Sequence, residues 1–62
     1  MTAGEKMKKL RGNRSQEEIA KALGISYSSY SKYERDERVP RDKVKKKIAF
    51  LFKTTVVDIF FS

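Results

Sequence analysis

Apolar side chains recur along this chain three or four residues apart. Ile19 and Leu23 are one helical turn apart, as are Tyr30 and Tyr33, so each pair lines one face of a helix. Val44, Ile48, Leu51 and Phe52 repeat the pattern further on, and Met7 with Leu10 does so near the start. Between them, Lys6, Lys8, Lys9, Lys45, Lys46 and Lys47 are expected to face solvent. No segment reads convincingly as a strand, and no repeat, linker or low-complexity stretch appears.

Helix ends are marked by small and polar residues. A first helix is expected from Ala3 to Arg11, ended by the breaker pair Gly12-Asn13. Ser15 and Glu18 form a capping box that opens a second helix at Gln16. Gly24 ends it where a left-handed backbone is least costly, and Ser26 caps a third helix running to about Glu34. A polar loop closed by Pro40 leads to a fourth helix over 41–52. Thr55 and Asp58 resemble another capping arrangement, opening a last short helix that ends in Ile59-Phe60-Phe61. The fold class that follows is a compact five-helix all-α bundle.

The second and third helices form a more specific pattern. Ala20 lies where one helix presses on the other, and Ile25 plugs the angle between them. This is a helix-turn-helix, in which the outer face of the second member is free to enter a DNA major groove.

Composition narrows the function. The chain has 62 residues, which fit one domain, 1–62, with a small core. Fifteen Lys and Arg against eight Asp and Glu give a formal charge of +7, which favours a polyanionic partner. With no His and no Cys, the usual zinc ligands are missing, and no metal or cofactor is expected. No glycine-rich phosphate loop is present and no Ser or Lys is evidently activated, so an enzyme is not expected. No apolar run could span a membrane and no signal peptide is evident, so a cytoplasmic protein is expected, associated with the nucleoid when bound to DNA.

The run LRGNRSQEEIAKALGISYSSYSKYERDERVP, followed by KKKIAFLF and VVDIFF, resembles the Xre/Cro–CI family of helix-turn-helix regulators. The resemblance extends from about Met7 to Phe61 and implies a lambda-repressor-like domain. It implies that Gln16 grips a DNA phosphate and that Tyr27, Ser28, Ser29, Ser31 and Lys32 read base edges. Arg14, Arg35, Arg38 and Arg41 are implied as phosphate contacts, which supply affinity and salt sensitivity more than sequence information. Tyr30 and Tyr33 match inward positions. Glu34 matches a glutamate paired with a basic residue of the first helix, here Arg11, or Lys9 if the alignment carries no gap.

Two departures stand out. Lys53 and Asp36 occupy positions where the family often has glycine, and Lys53 is expected to rearrange the turn after the fourth helix. Phe50 and Val57 replace residues that are usually polar. With Ile59, Phe60 and Phe61 they are expected to form an exposed apolar patch, and such a patch suggests a partner. A second copy is the favoured partner: a two-fold homodimer would set two recognition helices about one DNA turn apart, roughly 34 Å, on double-stranded DNA with a palindromic operator. The alternative for the patch is a C-terminal tail or a different protein, such as a toxin or another regulator.

Overall fold

The computed structural model describes residues 1–61 and contains five helices. They are α1 (Ala3–Arg11), α2 (Gln16–Leu23), α3 (Tyr27–Glu34), α4 (Asp42–Leu51) and α5 (Val56–Phe60), with no strand among the described residues. The arrangement is an all-α helix-turn-helix bundle.

Local chemistry explains where the helices begin. Thr2 with Glu5 and Ser15 with Glu18 make reciprocal capping boxes at the starts of α1 and α2. The Ser26 hydroxyl accepts from Ser29 N–H, and the Thr55 hydroxyl from Asp58 N–H. The box at Thr55 is only half made, because the Asp58 carboxylate accepts from the Thr54 hydroxyl instead.

Three helices also end by one device. After α2, α3 and α4 the chain passes through a residue of positive φ, at Gly24 (72°), Asp36 (60°) and Lys53 (58°). The N–H of the next residue then donates back to a carbonyl five residues earlier: Ile25 to Ala20, Glu37 to Lys32, and Thr54 to Ala49. The expected rearrangement at Lys53 therefore does not occur. Lysine adopts the left-handed conformation and the turn keeps its form.

Met7, Ile19, Leu23, Tyr30, Ile48 and Ile59 are nearly inaccessible, and Tyr33 and Phe52 close the same core. α3 is flanked by α1 and α2, while α4 packs on α2 and α5. Leu10, expected inward, is exposed. α1 is buried along Gly4 and Met7, and Leu10 lies at the rim beyond them. Ile59 is a second correction: it is 2% exposed and belongs to the core rather than to an external patch.

Candidate nucleic-acid interface

Ala20, at the contact of α2 with α3, is 3% exposed, and Ile25 packs against the core from the turn. Together they fix the angle at which α3 leaves α2. The inward stripe of α3 is Tyr30, Tyr33 and Glu34, which turns Ser28 and Lys32 to the opposite side. Tyr27 and Ser28 are exposed, with Tyr27 at 54%, and Ser29 and Lys32 are half-buried. Ser31 departs from the expected set. It is 8% exposed, because it adjoins Tyr30 and Glu34 on the flank of the stripe, and it does not belong to the outer face.

A polar cluster lies beneath this face. Arg11 Nε donates to Glu34 Oε2 at 2.7 Å, and Arg11 Nη2 donates to Glu34 Oε1 at 3.1 Å. Gln16 Nε2 donates to the same Oε1 at 2.8 Å. One carboxylate thus joins the end of α1, the start of α2 and the end of α3. Arg11 rather than Lys9 makes the pair, and the Glu34 side chain is 3% exposed. Burial raises the Glu34 pKa, but the hydrogen bonds from Arg11 and Gln16, with Tyr30 beside them, outweigh it and leave the carboxyl below its ordinary value. The bond to Glu34 raises the Arg11 pKa. Burial above all pushes the Tyr30 phenol up; its hydroxyl is enclosed next to Glu34 without a well-formed hydrogen bond.

The four arginines expected at the DNA backbone differ in their surroundings. Arg38 and Arg41 are exposed and line a cleft with Ser29 and Tyr33 of α3. Arg35 pairs with Glu37 at 3.0 Å on the open surface. Arg14, an exposed residue, reaches back to α1: Nη2 donates to the Leu10 carbonyl at 3.0 Å and Nε to the Arg11 carbonyl at 3.2 Å. Its guanidinium also lies over the Phe52 ring. Arg14 thus also closes the C-terminal end of α1, where a cation is favoured, while the residue remains exposed.

The sequence did not single out Val39, which is 74% exposed and lines the same cleft as Arg38 and Arg41. The available signal was an isolated apolar residue between Arg38 and Pro40 in an otherwise polar loop. Phe50, Val57 and Phe61 are exposed, but they do not form one patch. Phe50 is at the C-terminal end of α4, whereas Phe61 lines a cleft with Asp42 and Lys45 near its start and Phe60 lines one with Arg38 and Val39. Phe60 is half-buried, with Lys45 Nζ 5.3 Å from its ring centre and 5.0 Å from that of Phe61. Lys45, expected in solvent, thus spends its charge on two aromatic faces.

The model of the helix-turn-helix family matches residues 6–59, and the chain belongs to this family, in its Xre/Cro–CI form. Its class is that of DNA-binding regulators, and its partner is DNA. No curated protein and no solved structure matches the chain. No described helix is long and apolar enough to cross a membrane.

Proposed function

We propose that the chain acts as one domain, a cytoplasmic repressor that reads a palindromic operator as a homodimer with α3 in the major groove. The observation that carries this reading is the division of α3 into an inward stripe and a free outer side. Tyr27, Ser28 and Lys32, with Ser29 at the edge, supply the base-edge contacts. Lysine suits guanine O6 and N7, the serines are adaptable donors and acceptors, and the Tyr27 ring can pack on a thymine methyl.

Phosphates are held by the α2 N-terminus with Gln16, and by Arg38 and Arg41 at the cleft, with Arg35 beside them. Gln16 keeps its second amide N–H for a phosphate while the first stays on Glu34. Arg14 supports the frame that carries these groups. The two-fold contact uses Val57 and Phe61, the exposed members of the C-terminal group, since Ile59 is core and Phe60 is half-buried.

Selection from a random pool of duplex DNA at near-physiological salt tests the reading. Enrichment of an inverted repeat with half-sites about ten base pairs apart supports a dimeric sequence reader. Retention without enrichment, abolished by salt, would leave a non-specific basic domain and overturn it.

A further inference from the structure

Phe50 is 87% exposed, more than any other large apolar side chain described. It forms one wall of a groove between the C-terminal ends of α2 and α4. Leu23 and Leu51 contribute to the lining, and Gly24, lacking a side chain, leaves the groove open at the turn. Lys21 and Lys47 are both exposed on the lining, and no acidic residue contributes to it. The groove is thus apolar within and positive at its edges.

The surroundings argue against two occupants. Phe50 lies nine residues beyond Arg41, about 14 Å along α4 at 1.5 Å per residue, so the cleft holding Arg38 and Arg41 is at the other end of that helix. A phosphate backbone would satisfy the lysines but leave Phe50 uncovered. In a two-fold contact centred on this groove, the same patch meets itself, so the lysines of one copy would be brought against those of the other with no acidic residue on the lining to offset them. Like charges brought together this way oppose association.

We propose that this groove is a docking site for an acidic segment of a different protein. The segment carries an apolar side chain that packs on Phe50, Leu23 and Leu51, flanked by carboxylates that meet Lys21 and Lys47. The exposed Phe50 ring, covered on binding, supplies most of the affinity, and the two charges set orientation and choice of partner. The site is separate from the DNA-reading face, so a regulator bound to its operator can still recruit, or be sequestered by, such a partner.

The test is selection of displayed random twelve-residue peptides on the purified chain, followed by titration of the synthetic consensus peptide into isotope-labelled protein. The expected consensus has Asp or Glu on both sides of an aromatic or aliphatic residue. The peptide should shift the amide signals of Lys21, Gly24, Lys47 and Leu51. Phe50→Ala and Lys47→Glu should each weaken it at least tenfold, while Phe50→Ala leaves retention on duplex DNA unchanged. Three outcomes overturn the proposal: no acidic consensus, binding indifferent to both substitutions, or self-association of the parent chain that Phe50→Ala abolishes. Retention on duplex DNA is read separately, so loss of the DNA-binding account and loss of this site are distinguishable.

Discussion

Asp36 caps the start of α1 from 32 residues away: its Oδ1 accepts from the Gly4 N–H at 2.9 Å. The other carboxylate oxygen accepts from the Thr2 hydroxyl at 2.7 Å, while that hydroxyl accepts from Glu5 N–H. The turn that ends α3 is thereby fastened to the helix that covers it. Aspartate in place of the customary glycine acquires a reason: it tolerates positive φ better than most residues and its side chain supplies the cap.

The approach at Gly4 leaves no room for a side chain. A Cβ there would lie 2.3 Å from the Glu34 carbonyl oxygen, which is backbone and cannot swing aside. Gly4→Ala should therefore destabilise the domain by about 2 kcal/mol despite alanine's better helix propensity. Asp36→Ala should lose about 1–2 kcal/mol through the cap and the less tolerant backbone. Urea unfolding of both variants checks this, and an unchanged midpoint for Gly4→Ala would contradict the packing.

Stability should depend on Glu34 in acid. Its folded pKa is depressed, so its contribution is fully present above the unfolded carboxyl value and is lost as pH falls through the lower folded value. Unfolding free energy should thus decline as the solution is taken from pH 6 towards the acid range, about pH 2–3. Glu34→Gln should show a shallower decline, though not a flat one, because the exposed Glu5 is also depressed, chiefly by the Thr2 backbone bond. Arg11→Ala at neutral pH strands the Glu34 charge and should remove about 3 kcal/mol, a large share of what so small a domain possesses.

Arg14 and Arg38 should separate on DNA. Arg14→Ala should lower stability by about 1 kcal/mol, through the lost carbonyl bonds and the Phe52 contact, and leave the salt dependence of binding nearly unchanged. Arg38→Ala should keep the stability and reduce the slope of log affinity against log salt by about 1. Melting curves and a salt titration on one duplex suffice to check both.

Lys53 has positive φ and, unlike Asp36, no cap hydrogen bond that explains it. Lys53→Gly should raise stability by about 1 kcal/mol by removing the left-handed penalty. A lowered melting temperature would mean that the lysine side chain contributes something at this turn.

Much of this was legible in the sequence because it is local. Ser15, Glu18, Gly24 and Ser26 mark helix ends through bonds spanning only a few residues, and Tyr30 and Tyr33 reveal an inward face by spacing. Ser31 and Leu10 were misplaced because each lies at the margin of a stripe, where burial depends on the neighbouring helix rather than on helical phase. The Asp36–Gly4 cap and the Gln16–Glu34 bond join residues far apart in the chain, and no short-range pattern announces them. Arg14 is implied as a phosphate contact by the resemblance; its bonds to the Leu10 and Arg11 carbonyls and its place over Phe52 depend on how the end of α1 packs, which no short-range pattern shows.

The central claim is that the outer side of α3 reads bases while the α3–α4 loop holds the backbone. Its most direct test is parallel selection of duplex DNA by the parent chain, Lys32→Ala and Arg38→Ala. Lys32→Ala should lose preference at one position in each half-site and keep the others, while Arg38→Ala should retain the full preference with weaker binding to every sequence. If both variants only scale affinity, α3 does not read bases as proposed.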